Sequence, residues 1–381
     1  MTNPIYKFKP ECTGCRLCAE VCPKQCIQMK KDNEGFVYPV IDESVCIDCR
    51  KCVKTCPSNR TGYNQPLTLK AGVHTPPEVK ASASGGAFWA LCQILIPQGY
   101  VVAGAAWDDN FHVVHKIAYT LEEAQAFRKS KYVASNTTGI YKQVKSLIKE
   151  GRKVLFTGTP CLVAACKNYI GENENLLFVD LICHGVPNQE IFDKEVSHLE
   201  SKHGGKLQSF SFKQKEPVYG IVNSRSAEYT INDKTYRVVP KNDPYLQGYY
   251  SRLFYRPSCG NCHYSQFARV GDITIGDAWD IEKIYNDLNS LSGVSLVLFN
   301  TSKGLNLLSA MQDYMDMRTV TSEWAVKANA QLREPTTMHK NRSLFFEHFE
   351  RKSFENNVAK CTHKSIIQRF YKKLITKLRL R

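Results

Sequence analysis

Cys12, Cys15, Cys18 and Cys22, followed by Pro23, recur as Cys46, Cys49, Cys52 and Cys56, followed by Pro57. Each string reads C-x-x-C-x-x-C-x-x-x-C-P, and the copies are offset by 34 residues throughout. Thiolates at this spacing ligate 4Fe-4S clusters. Three sulfurs separated by two residues wrap a short loop around one cluster, and the fourth points away to serve the other. The pattern predicts one 4Fe-4S cluster on Cys12, Cys15, Cys18 and Cys56. It predicts a second on Cys46, Cys49, Cys52 and Cys22. Each proline lacks an N–H and breaks the chain just past the last ligand. Zinc usually takes paired knuckles and disulfides suit small secreted chains, so neither fits two complete strings. Cys26 has no place in the pattern and reads as small core filler.

A third constellation is more dispersed. Cys161, Cys183, Cys259 and Cys262 each sit in a turn or just past an apolar run, and two of them form a C-x-x-C pair. They are candidates for a third 4Fe-4S cluster, for a structural zinc, or for unrelated buried thiols, and spacing alone leaves all three open. Cys92, Cys166 and Cys361 have no partner pattern and read as packing residues.

The elements that must position these groups follow from periodicity. Asp32-Asn33-Glu34-Gly35 is a turn before a strand at Phe36 to Ile41. Residues 59 to 80 carry Gly62, Pro66, Pro76 and Pro77 and read as a linker. Ser84, Gly85 and Gly86 precede an apolar helix, Ala87 to Ile96, with Ser84 as candidate N-cap. Its free backbone amides suit a phosphate, and a plain capped core helix is the competing reading. Strands are expected at Tyr100 to Ala106, Val113 to Ala118, Val154 to Phe156, Leu176 to Ile182, Asp272 to Asp277 and Val294 to Asn300. Helices are expected at Ile140 to Glu150, Asn188 to His203 and Tyr245 to Tyr255. A β-rich stretch at Leu207 to Val239 turns at Asn232-Asp233. Thr157-Gly158-Thr159-Pro160-Cys161 and Cys183-His184-Gly185 follow strands, where ligand loops of open α/β sheets lie. The basic loop Arg128 to Tyr132 is a candidate anion site or a solvated surface loop.

Residues 5 to 60 resemble a bacterial ferredoxin with two 4Fe-4S clusters. The order of short motifs beyond them is similar to the beta subunits of coenzyme F420-reducing hydrogenases and dehydrogenases, a family that includes 7-hydroxymethyl chlorophyll a reductase. Those motifs are Ser-Gly-Gly before a helix, Lys-Ser-Lys-Tyr, Thr-Gly-Thr-Pro-Cys, Asp-Leu-Ile-Cys-His-Gly, Cys-x-x-Cys and Asp-Ile-Thr-Ile-Gly-Asp. The resemblance implies an iron–sulfur flavoprotein oxidoreductase, with FAD bound without a G-x-G-x-x-G fingerprint and a third cluster on Cys161, Cys183, Cys259 and Cys262. It also implies flavin or substrate contacts at Ser84, Gly85, Gly86, Ser130, Lys131, Thr157, Gly158 and Thr159, with His184 and Asp277 flanking the third cluster. Electrons would pass between a two-electron organic substrate at FAD and a redox partner protein or enzyme subunit. A different class, an electron-transfer adaptor without its own substrate site, shares the clusters but lacks the flavin.

The fold class expected is α+β: a small ferredoxin-like domain over 1–62, then a larger mixed α/β domain over 63–345, in parts 63–151 and 152–345. A basic amphipathic tail over 346–381 ends the chain. The chain has 381 residues, 16 cysteines and a net charge of +15. It carries no leader-like start and no apolar run long enough to span a bilayer, so a cytoplasmic location is expected. No nucleic-acid-binding motif accompanies the charge, and nucleic acid is not expected as a partner. In residues 363–381, Ile366, Phe370, Leu374 and Leu378 form an apolar stripe flanked by lysine and arginine. The stripe suits the inner face of an anionic membrane or a protein surface equally.

Overall fold

Short apolar runs bounded by glycine, proline or charge form the centre of the molecule. The computed structural model describes residues 5, 9–59, 61–215 and 225–362. The tail stripe at 363–381 lies outside the described residues. In chain order the strands are β1 (Ile27–Lys31), β2 (Val37–Ile41), β3 (Thr68–His74), β4 (Tyr100–Trp107), β5 (Val113–Ala118), β6 (Lys153–Gly158), β7 (Leu176–Leu181), β8 (Leu207–Phe212), β9 (Ala227–Ile231), β10 (Lys234–Val238), β11 (Ile273–Asp277), β12 (Ser295–Phe299) and β13 (Met315–Thr319). Eight form one mixed sheet in the order β13-β3-β12-β11-β7-β6-β4-β5. Its centre, β4, β6, β7 and β11, is parallel, and the flanking pairings are antiparallel.

Parallel strands are covered on both faces, which is why they read as unbroken apolar runs. Leu177 and Val179 of β7 pack with helix Ala87–Leu95, while Leu176 and Phe178 pack with helices Ile140–Lys149 and Pro160–Ile170. A second core lies under the antiparallel sheet β10-β9-β8, where Phe210, Phe212 and Tyr229 meet helices Gln189–His203, Pro244–Tyr250 and Phe354–Thr362. The body therefore continues through Thr362, past the boundary at 345 expected from composition.

Three sequence expectations change. The stretch read as a linker contains β3, which lies inside the large sheet between β12 and β13. The helix expected over Tyr245 to Tyr255 stops at Tyr250, because the chain turns through a left-handed Arg252 (φ 62°). Ser84 does not cap its helix; the N-cap is Gly86, and the Ser84 hydroxyl donates to the Val294 carbonyl at 2.8 Å.

Glu195 and Asp243 form a buried acidic pair in the second core. Three of their carboxylate oxygens have no donor among the described residues. Burial pushes Glu195 well above the usual carboxylate range and Asp243 up to about 6, so one proton is shared between them. Groups whose folded pKa is raised contribute stability below their unfolded pKa, and that contribution is lost as pH rises through the folded value. Glu195→Gln keeps the shape and supplies a permanent donor. Thermal melts are expected to show near-equal stability at pH 5 and a variant more stable by on the order of 2 kcal/mol at pH 8. A gap independent of pH would contradict the shared proton.

Candidate redox centres and cofactor cleft

The duplication seen in the sequence is also a duplication of backbone. Gly14 and Arg16 are left-handed (φ 73° and 65°), and so are their counterparts Asp48 and Arg50 (φ 47° and 55°). Left-handed residues alternating with right-handed ones turn N–H groups into a concave, anion-binding loop. Each loop leads into a short helix, Leu17–Val21 or Lys51–Thr55. The backbone amides of Leu17, Ala19 and Val53 act against burial at Cys15, Cys18 and Cys52 and favour their thiolates.

Electrostatic neighbours of the ferredoxin-type thiols fall into two groups. Cys15 and Cys18 both feel Cys12 and Cys56. Cys52 feels Cys22 and Cys49. Cys22, Cys46, Cys49 and Cys52 line one hollow of about 460 Å³, mouth included. Cys26, buried in the small core of this domain, lines it too, its sulfur 3.4 Å from that of Cys22. The two sites differ in exposure. Cys15 and Cys18 are buried, whereas Cys49 is exposed.

The first site is buried because the body grips its loop. Thr137 Oγ1 and Tyr141 Oη both donate to the Cys15 carbonyl, at 2.9 and 3.0 Å. Arg256 Nε donates to the Cys12 carbonyl at 2.6 Å, and Asn168 Nδ2 to that of Thr55 at 3.1 Å. Leu17 is fully buried in the core of helices Ile140–Lys149 and Pro160–Ile170. Beyond β1 and β2, Arg342 forms a two-pronged pair with Glu34, and Lys31 pairs with Glu190.

Cys161, Cys183, Cys259 and Cys262 converge. Cys183 feels the other three, and Cys259 feels Cys161 and Cys262. The first two lie at the carboxyl ends of β6 and β7, and the C-x-x-C pair comes from the turn Pro257–Asn261 and the residue after it. All four are partly exposed. Burial pushes the Cys161 and Cys259 thiols up, to about 11 and about 12, and the Arg256 cation acts against it at both. The backbone amides of Gly185 and Val186 favour the thiolates of Cys183 and Cys259, and Thr159 Oγ1 lies 3.2 Å from the Cys161 sulfur. Among the described residues no three His, Cys, Asp or Glu side chains close on a point that could grip a single ion. A cubane offers a separate iron to each thiolate, so its ligands need not meet at a point as those of zinc do. The donor set fits a 4Fe-4S cluster. Cys15 also feels Cys161, which places the first ferredoxin site beside this one.

A hub of buried polar groups braces the third set. Asp180, on β7 three residues before Cys183, accepts from Arg269 Nη2 at 3.0 Å, Thr274 Oγ1 at 2.7 Å and Gly271 N at 2.8 Å. Arg269 in turn donates to the carbonyls of Tyr264 and Leu181, so the segment after Cys262 is tied to β7.

The expected flavin contacts divide into three groups. Gly85 and Gly86 are required by packing: a Cβ on the first would lie 2.2 Å from the Gly72 carbonyl oxygen, and on the second, at φ 93°, 2.8 Å from His74 Cβ. Thr157, Gly158 and Thr159 run from β6 to Cys161, over His115, whose Nε2 donates to the Thr157 carbonyl at 3.1 Å. Burial lowers that imidazole to about 4, so it stays neutral. Ser84 and the half-buried basic loop around Ser130 approach one pocket. Lys131 Nζ turns back onto the carbonyls of Ala126 and Arg128, at 2.6 and 2.9 Å. Arg128 donates to Ser82 Oγ at 3.1 Å, and Lys129 to Gln214 Oε1 at 2.9 Å.

That pocket, a shallow open cleft, is lined by Ala83, Lys213, Gln214, Lys215, Asp277 and Trp279 among others. Lys213, left-handed at φ 55°, reaches both Asp277 oxygens at 2.6 and 2.7 Å. Lys215 donates to the carbonyls of Val79 and Ser84, and burial lowers it to about 7. Among the described residues this half-buried amine donates to carbonyls and to no carboxylate, an arrangement that an incoming anion would complete. His184, one residue past Cys183, is held low by burial and feels Asp277 and Lys213, so the pocket adjoins the third thiol set. The two lysines carry no signal in the sequence, since polar residues surround both.

Comparison with known proteins finds two matching families along the chain. Residues 11–60 match the family described as 4Fe-4S dicluster domain, so the segment holds two clusters. Residues 151–323 match the family described as the C terminus of the beta subunit of coenzyme F420 hydrogenase/dehydrogenase. No curated protein matches. A chain of the F420-reducing NiFe hydrogenase complex of Methanosarcina barkeri is similar at 18% identity and a TM-score of 0.48, over 75% of this chain and 93% of that one. Among the described residues no helix is long and apolar enough to cross a membrane.

Proposed function

We propose how electrons move through this chain, which is an iron–sulfur oxidoreductase like the coenzyme F420 hydrogenase/dehydrogenase beta subunits, joined to a 4Fe-4S dicluster domain. A two-electron organic partner, a deazaflavin, nicotinamide or related hydride carrier, exchanges electrons at an FAD. One-electron carriers exchange them at the other end, through 4Fe-4S clusters. The observation that carries the reading is the contiguity of three sites: the lysine pocket, the thiol set beside His184, and the buried ferredoxin site whose Cys15 neighbours Cys161.

An FAD takes up a hydride and releases electrons singly, which joins two-electron to one-electron chemistry. The chain's own residues do the rest. Cys161, Cys183, Cys259 and Cys262 would hold the third cluster, with Thr159 and the amides of Gly185 and Val186 on its sulfurs. Lys213 and Lys215 would hold an anionic part of the FAD or its substrate, with Ser84, Ser130 and the Thr157–Thr159 loop nearby. Asp277 pairs with Lys213 and aims its side chain. The body keeps water from Cys15 and Cys18, while exposed Cys49 opens the second ferredoxin site to a partner protein or subunit.

Anaerobically prepared protein is expected to contain about one FAD per chain. Lys213→Gln removes a charge-assisted bond of about 1.5–3 kcal/mol, so flavin affinity should fall at least about tenfold with iron content unchanged. Clusters without flavin in the wild type would overturn this reading in favour of an electron-transfer adaptor.

A further inference from the structure

Arg256 is 3% exposed, and among the described residues no carboxylate accepts from it. Its donors go to the carbonyls of Cys12 and Val37, at 2.6 and 2.9 Å, and Nη2 lies 3.6 Å from the Cys12 sulfur. The guanidinium lies 4.5 Å from the Tyr38 ring centroid and presses on Gly14, where a Cβ would come within 2.7 Å of Nη1. Its backbone belongs to the other site. The Arg256 carbonyl accepts from Cys259 N at 2.9 Å, and its amide donates to the Val186 carbonyl at 3.0 Å. Its charge also acts on Cys161 and Cys259.

A buried cation without a counter-charge costs several kcal/mol. Among the described residues its side-chain hydrogen bonds reach two carbonyls and the Cys12 sulfur, and the anion it can meet directly is the Cys12 thiolate with what that thiolate holds. Carbonyl partners orient the fork but leave its charge uncompensated. Tyr38 and Phe36 shut out water, so the charge acts on both thiol sets with little screening.

We propose that Arg256 is the shared counter-ion of the first ferredoxin cluster and of the cluster on Cys161, Cys183, Cys259 and Cys262, a positioning residue that raises both reduction potentials. A fixed cation favours the more negative, reduced form of each cluster, and its N–H toward the Cys12 sulfur adds a bond that strengthens on reduction. The part concerning the first cluster stands on the dicluster domain alone; the other part rests on the third-cluster reading above. Gly14 is then explained: only a residue without a side chain leaves the guanidinium room against the ligand loop.

The test is a redox titration of full-length protein, prepared anaerobically and followed by electron paramagnetic resonance. Arg256→Met should shift the one-electron equilibrium of the first and third clusters toward oxidation by at least tenfold, which is 59 mV each. The second cluster, on Cys46, Cys49, Cys52 and Cys22, should stay at its wild-type potential. Arg256→Lys, which keeps charge but not the fork, should shift less. A first-cluster shift below about twofold, or equal shifts at all three clusters, overturns the proposal. A wild type with only two clusters refutes the third-cluster reading, yet the shift at the first still decides the role of Arg256. Should Arg256→Met lose iron, wild-type protein labelled with guanidino-15N arginine decides instead. Its reduced first cluster must show 15N hyperfine coupling, and absence of coupling overturns the proposal.

Discussion

Cys259→Ala is expected to remove about four iron and four sulfide per chain, roughly a third of the total, and to leave the spectra of the two ferredoxin clusters intact. Cys259 sits where a single missing donor matters most. It feels Cys161 and Cys262, the Val186 amide favours its thiolate, and its own N–H donates to the Arg256 carbonyl. Losing one of four thiolates from an enclosed site leaves no replacement nearby, because Cys92, Cys166 and Cys361 are packed elsewhere in the cores. The second ferredoxin site differs in this respect, since Cys26 lies against Cys22. The readout is iron and acid-labile sulfide per chain, with zinc measured in the same samples. Wild-type zinc of about one per chain that disappears in Cys259→Ala would mean a structural zinc site instead. Unchanged iron and no zinc would mean four unconnected thiols.

The legibility of these sites in the sequence follows the range of the interactions that build them. Ligand loops of the ferredoxin type are local. Three cysteines and one left-handed turn lie within a few residues, and the duplicated string suffices to assign all eight thiols to two sets. The third set comes from three loops that meet because β6 and β7 are parallel neighbours and the segment after Cys262 is tied back to β7. Spacing can name its members as turn cysteines but cannot make them converge. β3 escapes a reading by periodicity because Pro66 and Pro76 bracket it and Lys70 and Gly72 interrupt its apolar pattern. It is a strand because β12 and β13 offer edges on both sides. Gly85 and Gly86 look like room for a phosphate, yet the sheet beneath already fills that room. Arg256 and Lys213 give no local signal, since a buried arginine and a buried lysine look like surface residues until the fold encloses them. Asp180 does give one: a lone acid within the apolar run Leu176 to Ile182.

That acid carries the largest stability effect expected for a residue outside the cysteines. Asp180→Ala should destabilise the fold by about 3–5 kcal/mol, because it strands the buried Arg269 charge rather than deleting a pair. The carboxylate is fully buried and accepts from Arg269, Thr274 and the amides of Val270 and Gly271. Replacing it with a methyl group leaves at least four donors without an acceptor in a space water cannot easily enter. Arg269→Met alone should also destabilise, since it releases the carbonyls of Tyr264, Gln266 and Leu181. The double variant should cost less than the sum of the two, as the mutual charge is absent from both sides. The site supplies a second readout. Arg269 holds the segment after Cys262 to the strand that leads into Cys183, so mild heating of Asp180→Ala should release about a third of the iron before the ferredoxin clusters are lost. Equal loss from all clusters, or a melting curve like that of the wild type, would show that the Asp180 hub does not brace the third thiol set.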